Sequence, residues 1–199
     1  MQIDLPDRMQ KARPKDWRKL GDITGEAFAD DPVNRWIFGN PRAIRSAMTV
    51  LARSVYSKRG ICHFVEDEGA TMWLPYGADG NMNNIAMLQF AFGLSRFANK
   101  GALKRAIEAG ESMAKNHPEE PHLYLFTIGT RASARGKGVG KALLAPVLNA
   151  CDRDGVACYL ENSNPDNHGF YRAHGFERMQ IFPVGEGGPP MEAMWREPG

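Results

Sequence analysis

The sequence has few cysteines, no long apolar run and almost no excess of either charge. Only 3 of its 199 residues are cysteine, and none forms a C-x-x-C motif. An odd number without that motif argues against a disulfide framework and predicts a cytoplasmic protein. No apolar stretch approaches the about 20 residues that a membrane-spanning helix needs. The opening residues, MQIDLPDRMQKARPKDW, lack the apolar centre of a secretory signal.

The near balance of charge limits the partners that a global electrostatic field could attract. The chain carries 25 basic and 23 acidic residues, a formal net charge of +2. This predicts no binding to nucleic acid and none to a membrane surface. The 5 histidines show no ligand spacing on one helix face, so no metal site is predicted. Any anion must therefore be held by a local site.

The remaining composition predicts one globular α/β domain over residues 1–199. Hydrophobic residues make up 43% of the chain, enough to bury a core at this length. Apolar periodicity predicts helices at 16–29, 41–57 and 103–114, and a short helix from about 165 to 173 is predicted to end at Gly175. Apolar periodicity also predicts six strands: one at 61–66, a second that follows the turn at 67–69 and ends near 74, and others at 122–129, 156–161, 176–182 and 191–195. Residues 77–121 are predicted to be a helical insertion.

A glycine-rich basic turn, TRASARGKGVGKALL, stands between a predicted buried strand and a helix. Gly136, Gly138 and Gly140 permit a backbone whose amides point at one spot, at a helix start that favours an anion. Arg131, Arg135, Lys137 and Lys141 add positive charge. The spacing fits neither the P-loop nor the G-x-G-x-x-G motif, which disfavours a nucleoside triphosphate. Taken alone, the cluster is equally consistent with a flexible basic loop that caps a structural helix.

Two motifs together resemble the GNAT superfamily of N-acetyltransferases. The run Arg135 to Gly140, RGKGVG, is similar to the acyl-CoA pyrophosphate loop of that superfamily, Arg/Gln-x-x-Gly-x-Gly/Ala. The segment ENSNPDNHGFYRAHGF resembles its Asn-x-x-(Ala/Asn)-x-x-x-Tyr-x-x-x-Gly-Phe pattern. The stretches AFADDPVNRWIF, TMWLPYG and YLENSNPDNHGFYRAHGF further resemble the bacterial branch that includes puromycin N-acetyltransferase. The close resemblance covers residues 122–176.

The resemblance implies a fold and a cofactor. The fold is a mixed, mostly antiparallel sheet of about seven strands flanked by helices, with splayed central strands. Acetyl-CoA is the implied acyl donor, and its arm would pair with the opened strand. The implied cofactor-binding residues are Phe126, Thr127, Ile128 and Gly129 in that strand, Arg135, Gly136, Lys137, Gly138, Val139, Gly140 and Lys141 in the loop, and Asn164 and Asn167 beyond it. Pro146 falls inside the following helix and is expected to kink it.

Acetyl transfer needs a base for the amine, a donor for the oxyanion and an acid for the leaving thiolate. The resemblance makes Tyr171 the candidate acid and Glu161 the candidate base, and the Ile128 amide the candidate oxyanion donor. Each has a structural alternative. Tyr171 could be a packed aromatic, with Tyr159 a weaker phenol candidate. Glu161 could form an ion pair with Arg172 or Arg178, and Asn164 and Asn167 could cap a turn.

Other polar and aromatic residues have less specific expectations. Asp30 and Asp31 either line the amine pocket or form the C-terminal turn of the preceding helix, and turn propensity favours the second. His168 and His174 are read as surface residues, and Cys158 remains open as an acyl acceptor. Six aromatic residues could wall an acceptor pocket, although core packing is the commoner fate of each: Trp36, Tyr56, Trp73, Tyr76, Phe90 and Phe97.

The predicted function is transfer of an acetyl group from acetyl-CoA to the primary amine of a small molecule, by direct attack in a ternary complex. A protein or peptide N-acetyltransferase is the alternative substrate class. A non-catalytic acyl-CoA sensor is the alternative of another kind, and the presence of both Tyr171 and Glu161 favours the enzyme. The chain is predicted to be a monomer or a homodimer.

Overall fold

A computed structural model describes residues 1–199 and contains a single seven-stranded sheet. The strands are β1 (Met9–Lys11), β2 (Ile61–Val65), β3 (Gly69–Pro75), β4 (His122–Thr130), β5 (Ala157–Asn162), β6 (Glu177–Pro183) and β7 (Pro190–Arg196). Their order in the sheet is β1-β2-β3-β4-β5-β7-β6. Only β4 and β5 run parallel, because a long connection that contains a helix joins them. The predicted mixed, mostly antiparallel sheet is confirmed.

Eight helices cover the two faces of this sheet. They are α1 (Trp17–Ala27), α2 (Pro32–Phe38), α3 (Pro41–Leu51), α4 (Ser57–Arg59), α5 (Asn84–Phe97), α6 (Ala102–Asn116), α7 (Val139–Asp154) and α8 (His168–Arg172). A π-helical turn over Ala52–Tyr56 joins α3 to α4. None of the eight combines the length and the apolar character needed to cross a membrane.

Helix α7 covers one face of the sheet and builds its core there. Leu143, Leu144 and Val147 are completely buried against Trp73 of β3 and Leu160 of β5. Burial of each such side chain contributes about 1.5–3 kcal/mol to stability. The helix runs through Pro146 without a break in its assignment, so tertiary packing outweighs the amide hydrogen bond that proline removes.

The opposite face is covered by helices from before β4. Helices α1 and α3 pack closely, because Gly21 and Gly25 of α1 bring it against Thr49 and Arg45 of α3. A Cβ atom added at Gly21 would lie 2.5 Å from the Cα atom of Thr49. Helices α2, α5 and α6 lie over the same face, around β5, β6 and β7. These helices form the roof above the part of the sheet where the candidate site lies.

Two elements were not predicted from the sequence. Strand β1 has only three residues and pairs at the edge with β2, too short to show a periodic pattern. Helix α2 starts where the sequence analysis placed the turn that ends α1. Asp31 is its N-cap, accepting a hydrogen bond from the Asn34 amide, and Pro32 occupies its first turn. The favoured reading of Asp31 as a C-terminal turn residue is therefore wrong, because the carboxylate caps the next helix instead.

The central strands separate, as predicted. β4 pairs with β5 from His122 opposite Ala157 to Leu125 opposite Leu160, and no further. Each strand continues with its other neighbour, β4 with β3 as far as Thr130 and β5 with β7 as far as Asn162. The two strands thus leave a gap between their carboxyl ends.

Packing on β4 supports this separation. The register with β3 skips Phe126, so β4 contains one extra residue at the point where it leaves β5. Such a bulge bends the strand and increases its twist. Gly129 lies directly beneath α1, and a Cβ atom there would be 2.6 Å from the Cβ atom of Ala27. The absence of a side chain at Gly129 lets α1 rest on the diverging end of the strand.

Candidate functional site

The glycine-rich turn forms a cradle of free amides at the start of α7. Gly136 and Gly138 have φ angles of 74° and 77°, a region that glycine reaches without steric cost. Five amides of the turn donate no hydrogen bond within the chain: those of Gly136, Gly138, Val139, Gly140 and Lys141. The 16-residue helix adds the positive end of its dipole at the same place. The backbone here fits a phosphate-sized anion.

The four basic side chains of the turn do not all remain available to an anion. Arg131 is held by the carboxylates of Glu26 and Asp67. Arg135 donates to the carbonyl of Ala27, 3.3 Å away, which ties the turn to the end of α1. Lys137 and Lys141 form no ion pair. The lysines are therefore the free cations of the cradle, and Arg131 is a structural residue.

Glu161 lies at the end of β5, where the strand has already left β4. Its side chain is only 2% exposed. Neither arginine considered from the sequence reaches it, since Arg178 pairs with Glu192 and Arg172 forms no ion pair. That ion-pair alternative is wrong. Glu161 is thus a buried carboxylate at the edge of the gap.

Three tyrosines surround this carboxylate. Burial first, and the charge of Glu161 second, raise the pKa values of Tyr56, Tyr124 and Tyr159 above the ordinary value of 10.0. All three phenols therefore keep their protons at neutral pH. The Tyr159 hydroxyl is also 3.5 Å from the carbonyl oxygen of Asn116. Glu161 faces neutral hydroxyl groups and aromatic surface rather than bulk water.

Two histidines complete the surroundings of Glu161. The Nδ1 atom of His117, just after α6, is 3.4 Å from Oε1 of Glu161. The Nε2 atoms of His117 and His122 are 3.0 Å apart, and Nδ1 of His122 is 2.7 Å from the carbonyl oxygen of Glu120. A hydrogen-bonded chain therefore runs from the buried carboxylate to the main chain at the start of β4.

Tyr171 lies on α8, next to the glycine turn. Its ring packs edge-on against Phe176, and its neighbour Phe170 covers Gly140, where an added Cβ atom would be 3.2 Å away. Burial first, and the charge of Asp31 second, raise the pKa of Tyr171 above 10.0. The hydroxyl makes no hydrogen bond within the chain, so it is a protonated phenol free to donate.

Asp31 connects the roof of the site with the end of β5. One carboxylate oxygen caps α2 through Asn34, and the other accepts a hydrogen bond from the Ser163 hydroxyl at 2.5 Å. Because Ser163 directly follows β5, this contact fixes the loop that leads to α8. Asp31 is 8% exposed and uses both oxygens in these bonds. Asp30 has no comparable partner.

A second carboxylate, Glu192 of β7, holds α8 in place. It accepts hydrogen bonds from Asn162 of β5 at 3.0 Å, from His168 of α8 at 2.8 Å and from Arg178 of β6 at 2.5 Å. Burial by itself would raise the pKa of Glu192, but these three hydrogen bonds outweigh burial and lower it below 4.5. His168 is thus a link between α8 and the sheet rather than a plain surface residue.

Replacing Glu192 with glutamine is expected to reduce the free energy of unfolding by about 2 kcal/mol at pH 7. Because the folded-state pKa is lowered, the stabilisation is complete above the ordinary value of 4.5 and is lost as the pH falls through the folded-state value. Urea unfolding of the wild type and Glu192→Gln at pH 7 and pH 3.5 measures the difference at each pH. A difference that grows towards acid would contradict this assignment.

The two asparagines beyond β5 lie in the turn that precedes α8. The side-chain oxygen of Asn164 accepts a hydrogen bond from the Asp166 amide, which makes Asn164 a cap of this turn. Its own amide hydrogens stay free, and the Asn167 side chain makes no hydrogen bond within the chain. Asn164 therefore has the capping role considered from the sequence, with donors left for a ligand.

The proposed aromatic walls divide into members near the site and members of the core. Tyr56 stacks on Phe126, with ring centroids 4.3 Å apart. Trp73 is fully buried on the α7 face, and Phe90 is buried against Phe38. Tyr76 is exposed and donates to the Glu119 carbonyl.

The sequence analysis missed Tyr124 and His117 as neighbours of Glu161. Tyr124 could have been found, because strand alternation places it on the same face as Phe126, just as it places Tyr159 beside Glu161. His117 had no local signal. Cys158 lies on the other face, and its hydrogen bond with Cys151 together with burial raises the pKa of its thiol, which is unsuited to accept an acyl group.

Comparison with known proteins agrees with this geometry. The model of the acetyltransferase (GNAT) family matches residues 99–176, which include the cradle, β5 and α8. An uncharacterised N-acetyltransferase of Schizosaccharomyces pombe is 26% identical over 95% of this chain and 83% of its own length. N-alpha-acetyltransferase 50 of Danio rerio is 36% identical over 65 residues, 31% of this chain and 39% of the relative.

A solved structure extends the similarity to the whole chain. A protein of Corynebacterium glutamicum, described as histone acetyltransferase HPA2 and related acetyltransferase, superposes with a TM-score of 0.68 and 28% identity, covering 96% of both chains. It includes the N-terminal helices that the family match leaves out. The fold, the family match over residues 99–176 and these relatives together show that the chain is similar to acyl-CoA-dependent acetyltransferases of the GNAT type.

Proposed function

We propose that the protein acetylates the primary amine of a small molecule by direct attack of the amine on acetyl-CoA, with both substrates bound at once. The observation that carries the proposal is the placement of Glu161. It is a buried carboxylate without an arginine or lysine partner, at the carboxyl end of β5 where β4 has separated. Its one ionisable partner with a basic nitrogen is His117, so no permanently charged side chain neutralises it, and it can accept a proton.

The coenzyme would be held by the cradle and by the free edge of β4. The unpaired amides from Gly136 to Lys141 suit the diphosphate, and Lys137 and Lys141 add charge. Phe126 to Gly129, beyond the last pair with β5, offer a strand edge to the amide groups of the pantetheine arm. Thr127 adds a buried hydroxyl that has no partner within the chain. Asn164 and Asn167 could supply further donors.

The residues at the gap would divide the proton transfers between them. The acetyl thioester supplies the electrophilic carbonyl group. Glu161 accepts the proton of the amine, and the Tyr171 hydroxyl donates a proton to the leaving sulfur atom. A main-chain amide of the opened strand, which we assign to Ile128, would stabilise the oxyanion. The raised pKa of Tyr171 keeps its hydroxyl group protonated until the sulfur atom leaves.

Helices cover the face of the sheet on which the Glu161 side chain lies, and this cover supports a small acceptor. The helices α2, α5 and α6 pack over this face, and His117 at the end of α6 lies against Glu161. Tyr56, Phe126 and Tyr124 provide aromatic surface beside the carboxylate, which suits an organic amine. The resemblance to the puromycin N-acetyltransferase branch points in the same direction. We propose that residues 1–199 act as one domain, with 77–121 as an insertion that covers the acceptor.

A protein or peptide N-terminus is the second candidate acceptor. The 36% identity with N-alpha-acetyltransferase 50 over 65 residues favours it. A sensor that only binds acyl-CoA would need the cradle but would not need Glu161 and Tyr171 beside the gap. Turnover of any amine at a rate above the buffer background would exclude the sensor.

The test is release of free thiol from acetyl-CoA across a panel of small primary amines and short peptides. We expect turnover with small amines and a fall in kcat of about 10²-fold in Tyr171→Phe, because phenylalanine keeps the ring but cannot donate a proton. Binding of coenzyme A, measured by calorimetry, should be unchanged in this variant. Turnover of peptides alone would replace the small-molecule proposal, and equal kcat values would remove Tyr171 as the acid.

A further inference from the structure

The hydrogen bonds around Glu161 form a continuous chain of three links. They join Glu161 to His117, His117 to His122, and His122 to the carbonyl oxygen of Glu120, at 3.4, 3.0 and 2.7 Å. The residues come from β5, from the end of α6 and from β4, so tertiary packing alone brings them together. His122 is 4% exposed, and the Glu161 side chain is 2% exposed.

Each link requires one proton, and the protons can be counted. A carbonyl oxygen only accepts, so Nδ1 of His122 must carry a hydrogen. A neutral His122 then accepts at Nε2, which requires a hydrogen on Nε2 of His117. A neutral His117 would therefore turn a bare Nδ1 towards a bare carboxylate oxygen. Two neutral imidazoles and a carboxylate supply two protons for three links.

Only three groups of the chain, His117, Glu161 and His122, can carry the third proton. If it sits on His117 or on Glu161, the three groups together have no net charge, which suits their burial. Placing it on His122 would charge the more buried ring, and burial lowers the pKa of His122 below 6.5. The geometry therefore leaves His117 and Glu161 as the places for the third proton.

From this geometry we propose that His117 is a positioning residue that shares one proton with Glu161 and passes the proton of the acetylated amine to water. The inference rests on the proposed function, because it assigns the route by which the base of that reaction is restored. The N–H bond of the amine breaks and an O–H bond forms on Glu161. The Nδ1 hydrogen of His117 then passes to water as its 3.4 Å contact with Glu161 opens, and the new proton on Glu161 remains as the single shared proton of the pair.

The exposure of His117 makes it the exit. Its side chain is 33% exposed, whereas the other two members of the chain are enclosed. The groups that face the chain are neutral phenols or ring surfaces, apart from the nearby carboxylate of Glu120. They come from four elements: Tyr56 from the turn before α4, Tyr124 from β4, Tyr159 from β5 and Trp195 from β7.

The resting arrangement can be tested without any substrate. Nitrogen-15 NMR of the imidazole rings in the full chain should show His122 as the neutral tautomer with hydrogen on Nδ1 at pH 7. Substitution of Glu161→Gln should change the protonation of His117 and leave the tautomer of His122 as it was. Two results would contradict the proposed hydrogen-bonded chain. One is a neutral His122 with its hydrogen on Nε2, and the other is a His117 spectrum that is the same in Glu161→Gln and in the wild type.

The role in turnover can be tested by chemical rescue. His117→Ala should lower kcat/KM about tenfold, since a proton carrier is removed. Added imidazole should raise the kcat/KM of His117→Ala at least about threefold, because it can enter the exposed space left by the side chain and carry protons. Imidazole should not restore Tyr171→Phe, which lacks a phenol. His117→Asn, which keeps a hydrogen-bond donor towards Glu161, should stay as slow as His117→Ala without imidazole.

The outcomes separate the two proposals. A wild type that is inactive on every amine defeats the proposed function, while the NMR experiment still tests the proton chain. An active wild type with His117→Ala or His117→Asn unchanged, or with no response to imidazole, defeats the role of His117 and leaves the acetyltransferase intact.

Discussion

Glutamine in place of Glu161 is expected to lower kcat/KM for an accepted amine by about 10²- to 10⁴-fold at pH 7.5. The two side chains have nearly the same shape, so the fold should not change. The amide cannot accept the proton of the attacking amine, and the free carboxylate among Tyr124, Tyr159 and His117 is lost. The measurement is thiol release with the best amine of the panel, over pH 6 to 9.

Two controls make this result specific to the base. Calorimetric binding of coenzyme A should be the same in Glu161→Gln and the wild type, because the cradle lies elsewhere on the chain. Glu111→Gln, an exposed carboxylate on α6, should keep full activity. If Glu161→Gln retained more than a third of the wild-type kcat/KM, another group or water itself would have to serve as the base.

The double substitution Gly136→Ala and Gly138→Ala is expected to weaken coenzyme A binding at least about 100-fold, which corresponds to the loss of two hydrogen bonds to a charged group. Both positions have positive φ angles and open space around an added Cβ atom. The effect therefore comes from the backbone rather than from a clash. Alanine in this conformation costs about 1–2 kcal/mol per residue, which favours a turn whose amides no longer converge.

Gly155→Ala provides a matched control for strain. Gly155 ends the same helix with a φ angle of 66°, and an added Cβ atom there would also meet nothing. It should lower the free energy of unfolding by about 1 kcal/mol, as each cradle substitution does, but leave coenzyme binding unchanged. Equal weakening of binding by Gly155→Ala would show that the cradle effect reflects general destabilisation, and calorimetry together with urea unfolding separates the two quantities.

Local sequence signals were sufficient for most of the sheet and for the position of the glycine turn. Strand β4 could be predicted because its residues are almost wholly apolar, and α7 because glycines stand directly before its apolar pattern. Local sequence signals do not predict the short elements. Strand β1 is fixed only by pairing with β2, and α2 depends on whether Asp31 ends one helix or begins the next. That choice is made by burial of the carboxylate against Ser163, far away in the sequence.

The surroundings of Glu161 show the same division. The resemblance made Glu161 and Tyr171 the candidate base and acid. The structural alternative for Glu161 was an ion pair with an arginine. In the fold, Arg178 pairs with Glu192, and His117, which directly follows α6, contacts Glu161. Side chains 44 residues apart meet because α6 ends above the point where β4 and β5 separate.

By itself, the sequence determined the sheet with its helices, the glycine turn that leaves amides free, and the phenol and carboxylate carried by one short motif. The sheet, the helices and the turn depend on backbone conformation and on apolar periodicity, which act between neighbours in the chain, whereas the phenol and the carboxylate were indicated by the resemblance to GNAT motifs. The tertiary structure alone decided which charges stay free in the cradle, which carboxylate lacks an arginine or lysine partner and which histidine contacts it. Those outcomes depend on burial and on contacts between distant segments, because a buried polar group must take its partner from whatever the fold places beside it.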